Sequence, residues 1–136
     1  MAYVIKTRID DCTAKRFEFR DQKTMYGGRK IAKGDRIYLF ASEHNGGTGL
    51  IARGVVAKAD ATERIPGVAR QTPRVSITVE QMEPAKQRFG RTELKAFSDW
   101  EDGRPETELN FKFYRQATNK IGEISDEADT FLSSFF

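Results

Sequence analysis

Residues 34–61 read GDRIYLFASEHNGGTGLIARGVVAKADA, in which two apolar runs flank a glycine-rich segment. A phosphate-binding loop of the Walker type needs Gly-Lys-Ser/Thr at the start of a helix, so that backbone amides and the lysine meet the phosphates. Here Gly49 is followed by Leu50 and Ile51, and the segment contains no Lys-Ser/Thr pair. The second run contains β-branched residues and a mid-run Gly54, which favours a bulged strand over a helix. HNGGTG therefore predicts a β-hairpin connection rather than a phosphate site.

Segments on both sides of this hairpin also predict strands. Residues 3–9 (YVIKTRI) are rich in β-branched residues, and residues 74–80 (RVSITVE) alternate between apolar and polar. Residues 108–114 (ELNFKFY) alternate in the same way, so we predict a third strand that buries its apolar residues. RFEFR at 16–20 alternates as well, although residues 11–33 as a whole leave helix and strand open.

Short helices are predicted in the C-terminal half of the chain. Thr92 is a suitable N-cap for a helix through about residue 98, and Ser125, followed by two acidic residues, suits the start of a second helix. Short, locally connected strands with a few short helices favour an α+β fold, a small mixed β-barrel with peripheral helices, over a doubly wound sheet. The length of 136 residues fits one domain, residues 1–136.

Composition excludes several classes of protein. The chain is 38% hydrophobic and 32% charged, which is typical of a globular domain. Cys12 is the only cysteine and His44 the only histidine, so a disulfide within the chain is excluded, and the two counts argue against a Cys/His metal centre and a Cys-His catalytic pair; we expect no metal and no cofactor. No apolar run is long enough for a membrane span and residues 1–10 do not resemble a signal peptide, so we expect a cytoplasmic protein.

The two halves of the chain differ in charge. Residues 1–60 contain 12 Lys and Arg against 7 Asp and Glu, whereas residues 61–136 contain 11 against 13. A basic half suits a polyanionic partner such as nucleic acid. Charge alone favours the simpler interpretation, an ordinary solvated surface with a chance asymmetry.

Several motifs follow one another in an order that a known family shares. Lys6-Thr7 lies within the first predicted strand, and the loop MYGGRK at 25–30 precedes Gly34-Asp35. IYLFAS, NGGTG and LIARGVV come next, followed by PRVSITVE at 73–80 and RTELKAF at 91–97. The segment YRQATNKIGEISDEADTFL at 114–132 matches that family's Arg-Gln strand and capped closing helix. In this order and spacing the chain resembles the EVE domains, which belong to the PUA-like group of folds.

The chain departs from the family pattern in the loop at 25–30. The family motif there is similar to Asn-Tyr-x-Ala-Arg-Asn, and Met25 and Gly28 replace its asparagine and alanine. The tryptophan that often precedes this loop is absent, since Trp100 is the only tryptophan in the chain. These departures concern the ligand more than the fold.

The resemblance implies a pocket for a flipped or single-stranded base, in several relatives a methylated or hydroxymethylated cytosine, in RNA or DNA. Such a pocket needs an aromatic plane, groups that hydrogen-bond the base edge, and cations for the flanking phosphates. Tyr26 or Trp100 is predicted to supply the plane, Ser42, Thr118 and the Gly27-Gly28 backbone the edge contacts, and Lys6, Arg29 and Arg115 the phosphate contacts. The predicted ligand-binding residues are Lys6, Thr7, Tyr26, Gly27, Gly28, Arg29, Ser42, Trp100, Tyr114, Arg115 and Thr118. We expect a non-catalytic monomer that binds nucleic acid.

Two other functions stay open. ASCH proteins have a related PUA-like fold, and small ones resemble this chain in outline while acting as amidohydrolases on modified nucleosides. That chemistry needs a lysine-assisted Thr or Ser with a carboxylate, for which Lys6, Thr7 and Glu43 or Glu80 are the candidates. Adjacent strand residues point to opposite faces, however, and nothing in the sequence predicts burial of Lys6. The third function, a protein-interaction module, would use an exposed Phe135-Phe136 segment.

Overall fold

The computed structural model describes residues 1–136 and shows six strands that close into a barrel. The strands are β1 (Ala2–Thr7), β2 (Phe17–Met25), β3 (Arg36–Ala41), β4 (Gly49–Ala61), β5 (Arg74–Pro84) and β6 (Lys120–Ile124). The α-helices are α1 (Arg91–Leu94), α2 (Pro105–Leu109), which continues as a π-helical turn (Asn110–Tyr114), and α3 (Asp126–Ser133). Short 3-10 helices span Gly28–Lys30 and Glu43–Asn45. The α+β mixed barrel predicted from the sequence is confirmed.

The barrel follows the order β1-β3-β4-β5-β2-β6. β3 and β4 form the antiparallel hairpin that HNGGTG predicts, and the β4–β5 register shifts between Arg53 and Val55, so Gly54 does lie at a bulge. Two parallel pairs, β1 with β3 and β2 with β6, join strands that are distant in sequence. β6 also pairs with β1 and thereby closes the barrel.

Strand alternation divides the core into two layers. In β1, Tyr3 and Ile5 belong to the cluster that fills the barrel interior, whereas Val4 belongs to the cluster between the barrel wall and the helices. The predicted alternation of β5 is confirmed, because Val75, Ile77 and Val79 are all buried in the interior cluster. The second cluster matters for function, since the helices that cover it also form one wall of the candidate site.

The C-terminal helix closes the outer layer. As predicted, Ser125 caps α3: its Oγ accepts a hydrogen bond from the Ala128 amide at 3.1 Å. Phe135 is buried, and its ring lies 4.7 Å from that of Phe89 between centroids. Phe136 is half-buried beneath the Arg53 guanidinium. The two terminal aromatics therefore pack on the barrel, and the exposed Phe135-Phe136 surface that an interaction module would use is not present.

The strand predicted at 108–114 is wrong, since α2 and the π-helical turn occupy that segment. Leu109 and Phe113 are buried on one helical face, while Phe111 is only half-buried on another. The four-residue spacing of Leu109 and Phe113 fits both the period of a helix and that of a strand. Pro105, in the first turn of α2, was the sequence signal for a helix that the prediction missed. The Arg-Gln strand expected from the family resemblance is absent as well, because β6 begins only at Lys120.

The first α-helix is shorter than predicted and begins earlier. It has a single turn, and Thr92 is exposed inside it rather than capping it. The Glu93 carboxylate instead accepts a hydrogen bond from the Gly90 amide at 2.7 Å, which fixes the start of α1. None of the helices is both long and apolar enough to cross a membrane.

Candidate functional site

A polar cleft of about 160 Å³ opens where β1 and β3 end, and we call it the Lys6 cleft. Its wall consists of Lys6 near the end of β1, Ser42 and Glu43 just after β3, Arg91 at the start of α1, and Tyr114 at the end of the π-helical turn. The cleft has the size of a single heterocyclic ring. His44 and Ala117 complete its rim. Three of the predicted ligand-binding residues, Lys6, Ser42 and Tyr114, therefore meet in one place.

Lys6 is buried in this cleft, which the sequence did not predict. Only 3% of its surface is exposed, and its Nζ donates a hydrogen bond to the Phe113 carbonyl oxygen at 2.6 Å. Its Nζ also lies 5.0 Å from the centre of the Tyr114 ring. Desolvation lowers the pKa of Lys6, the nearby Glu43 carboxylate opposes that shift, and Arg91 adds to it. The lysine is thus held in place by the helix that covers the outer core layer.

Glu43 links the walls of the cleft. Its carboxylate accepts hydrogen bonds from the Tyr114 hydroxyl at 3.0 Å and from the Arg91 amide at 2.7 Å. Burial, reinforced by the Glu43 charge, raises the pKa of Tyr114, so this phenol stays protonated and remains a donor. Gly90 permits the arrangement, because a Cβ there would lie 2.6 Å from a Glu43 carboxylate oxygen. The carboxylate and the aromatic ring are therefore positioned together.

The Ser42 side chain has no partner. Only 1% of the residue is exposed, yet its Oγ makes no hydrogen bond. The backbone of Ser42 is satisfied, with its amide donating to the Thr7 carbonyl at 2.8 Å and its carbonyl accepting from the amides of Asn45 and Gly47. A buried hydroxyl without a partner costs about 1–3 kcal/mol. Because Ser42 lines the cleft, its hydroxyl is available to a group that enters there.

A second buried lysine lies beside the first. Lys120 is 1% exposed, pairs with Lys6 across the antiparallel β1–β6 ladder, and donates from Nζ to the Thr118 carbonyl at 3.2 Å. Desolvation, and then repulsion from Lys6, lowers the pKa of Lys120 to about 8. Its ordinary pKa in the unfolded chain is higher, so the folded state binds this proton less tightly than the unfolded state does.

We expect the stability of the protein to rise as the pH increases from about 8 towards 10.5, because in that interval the unfolded chain keeps the Lys120 proton and the folded protein does not. Below about pH 8 Lys120 is protonated in both the folded and the unfolded state, so the whole destabilising effect of its buried charge is present. Lys120→Met should therefore be more stable than the wild type at pH 7 and show a flatter pH profile. Urea unfolding at a series of pH values tests this.

Lys95→Met is the matched control, since Lys95 is exposed and makes no ion pair. It should keep the wild-type profile. If the stability of Lys120→Met rises with pH as steeply as that of the wild type, groups other than Lys120 cause the rise. Lys6 would be the first such candidate, because burial also lowers its pKa.

Thr7 faces away from the Lys6 cleft, as alternation along a strand requires. It lines a neighbouring opening of about 390 Å³ together with Lys23, Arg74, Thr118 and Asn119, which we call the Thr118 groove. Arg29 lies farther along, in a recess of about 430 Å³ beneath the loop 62–73 that we call the Arg64 recess. Thr7 and Thr118 are thus brought together, but not with Lys6.

Tyr26, Trp100 and Arg115 gather around a different residue, Phe111. The rings of Tyr26 and Trp100 lie 6.1 and 5.5 Å from that of Phe111, and the Arg115 guanidinium lies 4.7 Å above it. Tyr26 is 39% and Trp100 43% exposed. Neither aromatic residue lines the Lys6 cleft, so the structure separates them from Ser42 and Lys6. Tyr114, rather than Tyr26 or Trp100, is the aromatic side chain of the cleft.

The Gly27-Gly28 turn packs on the barrel. Gly27 has φ +82°, and its carbonyl accepts from the Lys30 amide, while the Gly28 carbonyl accepts from the Ile31 amide. A Cβ on Gly28 would lie 2.1 Å from the Ile121 carbonyl oxygen, so only glycine fits there. Both carbonyls are therefore engaged locally, and the turn serves to seat Tyr26 against β6.

The sequence did not single out Arg91 or Lys120, and it named Glu43 only as a possible catalytic carboxylate. Glu43 follows the β3 strand end directly, and Arg91 starts the RTELKAF segment, so both lay inside recognised motifs. Lys120 carried no signal, because its burial depends on pairing with β1 and on the helix that covers it. We find no group of three or more His, Cys, Asp or Glu side chains placed as a metal site would require.

The barrel is similar to several solved structures. The DUF55 domain of human thymocyte nuclear protein 1 superposes with a TM-score of 0.65 at 12% identity, covering 98% of this chain and 97% of that one. Human THYN1 protein in complex with 5-methylcytosine-containing DNA gives 0.65 at 15% identity, covering 98% and 96%. The chain has the fold of the EVE domains.

A second kind of protein shares the EVE fold at a lower score. A mutant ASCH protein from Zymomonas mobilis superposes with a TM-score of 0.56 at 12% identity, covering 98% of this chain and 96% of that one. No known protein-family model matches the chain, and no curated protein sequence matches it. At these identities the likeness fixes the architecture, and the chemistry of the site has to come from the residues of this chain.

Proposed function

We propose that the protein binds one base of a nucleic acid in the Lys6 cleft, without catalysing a reaction. The observation that carries this proposal is the unpartnered Ser42 hydroxyl, which is 1% exposed and lines a ring-sized cleft. Beside it the Tyr114 ring offers a plane for stacking, which is worth about 1–3 kcal/mol per base. A base that entered the cleft would give Ser42 the hydrogen bond that it lacks.

The polar groups of the cleft suit a cytosine-like edge. Carboxylates accept hydrogen bonds from the exocyclic amino group of cytosine, and Glu43 holds a carboxylate in the cleft. Lys6 supplies a donor on the same wall. The DNA in the human THYN1 complex contains 5-methylcytosine, which supports a modified cytosine as the base for this chain too. The proposed partner is therefore DNA or RNA that carries a modified cytosine.

Calorimetric titration with short oligonucleotides tests the proposal. The panel contains cytosine, 5-methylcytosine and 5-hydroxymethylcytosine at one position of otherwise identical DNA and RNA strands, at two salt concentrations. We expect saturable binding that favours one modified base and weakens as salt increases. Calorimetry is preferable to tryptophan fluorescence, because Trp100 does not line the cleft. Equal affinity for every base would contradict recognition of the base in this cleft.

Ser42→Ala should weaken binding of the preferred oligonucleotide by about 2- to 10-fold, the usual worth of one hydrogen bond. It should leave the free protein as stable as the wild type or slightly more so, because Ser42 Oγ has no partner to lose. Ser98→Ala is the control, since Ser98 is exposed and lies outside the cleft. Affinity is measured by calorimetry and stability by thermal unfolding. A less stable Ser42→Ala protein with unchanged affinity would assign the hydroxyl a structural role.

One observation favours a hydrolase as the second candidate. Lys6, whose pKa is lowered by burial, shares the cleft with the free Ser42 hydroxyl and the Glu43 carboxylate. A neutral Lys6 amine would take the Ser42 proton while Oγ attacks an acyl carbon; the C–N bond would then break as Lys6 returns the proton to the leaving amine, and water would hydrolyse the Ser42 ester, which is the lysine-assisted chemistry of this class. The other sequence candidates for this chemistry, Thr7 and Glu80, do not line the cleft. Release of product from N-acylated nucleosides, lost in both Lys6→Met and Ser42→Ala, would establish the hydrolase.

A further inference from the structure

Three recesses neighbour one another on the outer surface of the barrel. Arg74 lines both the Arg64 recess and the Thr118 groove. The groove reaches Thr118 and Asn119, and the preceding residue in the chain, Ala117, lines the Lys6 cleft. The Asn119 side chain also donates to that of Asn45 at 3.1 Å, which ties the groove to the hairpin beside the cleft. These shared and neighbouring residues place the three recesses next to one another, and we call the series the rim path.

The exposed or half-exposed cations on the rim path have no carboxylate partners. None of the following makes an ion pair: Lys23, Arg29, Arg64, Arg74 and Arg91. On other faces of the barrel some cations are paired, as Arg16 is with Glu80 at 3.4 Å and Arg53 with Glu83 at 2.9 Å, whereas others, such as the exposed Lys95, are not. The cations of the rim path are therefore free to meet an external anion.

Carboxylates on the rim path are few, and two of the three are engaged within the protein. Glu43 holds Tyr114 and the start of α1, and Asp21 accepts from the Thr62 hydroxyl at 2.8 Å. Glu63 is the third. Positive charge thus prevails along the whole length of the path, which favours a partner with repeating negative charges.

The far end of the rim path is held in one shape. Gln71 accepts a hydrogen bond from the Ile65 amide and donates to the carbonyls of Ile65 and Val68, all at 2.8 Å. These bonds fix the tip of the loop 62–73 and keep Arg64 at the recess. A pre-shaped loop loses little conformational entropy when a partner binds.

We propose that the rim path binds the backbone of a single-stranded segment of about four nucleotides, which runs from the base in the Lys6 cleft to the Arg64 recess. The path runs across several strands of a closed barrel, whose surface is curved, and a flexible single strand follows such a curve. A duplex is stiff over about 150 base pairs and does not. The inference rests on the proposed function, because it takes the base in the cleft as one end of the strand.

The test is fluorescence anisotropy with strands of one to eight nucleotides that carry the preferred base at one end, together with the matching nucleoside. We expect affinity to rise with length up to about four nucleotides and then to level off. The logarithm of the affinity should fall with the logarithm of salt by about 0.7 for each phosphate contacted, so by about 2 for the three internucleotide phosphates of a four-nucleotide strand. Arg29→Gln and Arg64→Gln should each reduce that slope by about 0.7, and the double variant by about 1.4.

Arg16→Gln is the control, because Arg16 lies on another face and is paired with Glu18 and Glu80. The salt dependence of the affinity of this variant should equal that of the wild type. Nucleoside binding without any gain from added length would overturn the rim path and leave the proposed function standing. Gain with length but no nucleoside binding would support the path and contradict the base in the cleft. Equal or tighter binding of duplex DNA, or of anionic phospholipid vesicles, would overturn the assignment to a single strand.

Discussion

Replacing Tyr114 with alanine is expected to weaken binding of the preferred oligonucleotide by about 5- to 150-fold, which corresponds to the loss of one stacked base. Tyr114 provides the only aromatic ring that lines the Lys6 cleft apart from the imidazole of His44 at its rim. Its ring lies 6.3 Å from that of Phe40, so the plane is supported from behind by the core. The dependence of affinity on salt should not change, because the ring meets no phosphate. Calorimetry at two salt concentrations measures both quantities.

Tyr114→Phe separates the ring from its hydroxyl. It keeps the stacking plane but removes the hydrogen bond to Glu43, so we expect a loss of only about 2- to 10-fold. Tyr114 is half-buried, and thermal unfolding must therefore show that both variants are folded at the temperature of the titration. If the Tyr114→Ala variant binds the oligonucleotide as tightly as the Tyr114→Phe variant, the Tyr114 ring does not stack on the base. The aromatic cluster of Tyr26, Trp100 and Phe111 would then be the next candidate for the stacking surface.

The largest effect on stability is expected at Gly28. A Cβ at this position would lie 2.1 Å from the carbonyl oxygen and 2.7 Å from the carbonyl carbon of Ile121. Ile121 pairs with β1 on one side and with β2 on the other, so its backbone cannot move away without breaking a ladder. We expect Gly28→Ala to lower the free energy of unfolding by about 3 kcal/mol or more, and the melting temperature by about 10 °C.

Gly34→Ala is the comparison that isolates the steric part of this effect. Gly34 has φ +94°, and a Cβ added there would have no atom within 4 Å, so alanine meets only backbone strain, which costs about 1–2 kcal/mol. Urea unfolding of both variants gives the two costs under the same conditions. Equal destabilisation would mean that the Gly28 turn is not packed tightly on β6.

Those elements that local sequence defines were predicted correctly. Val75, Ile77 and Val79 alternate with polar residues, and only a strand buries all three. Ser125 caps α3 through a bond to an amide three residues away, so its signal lies within one turn. The hairpin at HNGGTG was likewise decided by residues that are adjacent in the chain.

Leu109 and Phe113 show why the segment 108–114 was assigned wrongly. Residues four apart share a helical face, and they also share a strand face, so the apolar pattern fits both structures. Packing decided the outcome, because the π-helical turn brings the Phe113 carbonyl to Lys6 from more than one hundred positions away in sequence. No local pattern contains that contact.

The candidate site was predicted in part. The residues Lys6, Ser42 and Tyr114 were named and do meet, since each stands at the end of an element on the same side of the barrel. Tyr26, Trp100 and Arg115 were assigned to that same pocket, but they surround Phe111 instead. The difference arises because the position of Phe111 follows from the helical segment 105–114, of which residues 108–114 were predicted from the sequence as a strand.

Closure of the barrel by β6 also governs how the protein acquires its function while it folds. β6 has to pair with both β1 and β2, which lie about a hundred positions earlier in the sequence. Contacts between residues so far apart in sequence form slowly. Residues 117–119, which join the Lys6 cleft to the Thr118 groove, directly precede that strand. In a refolding experiment, competence to bind should therefore emerge in the same kinetic phase as native β6. Until β6 has paired, the chain lacks the complete binding site, so a ligand cannot stabilise it against unfolding.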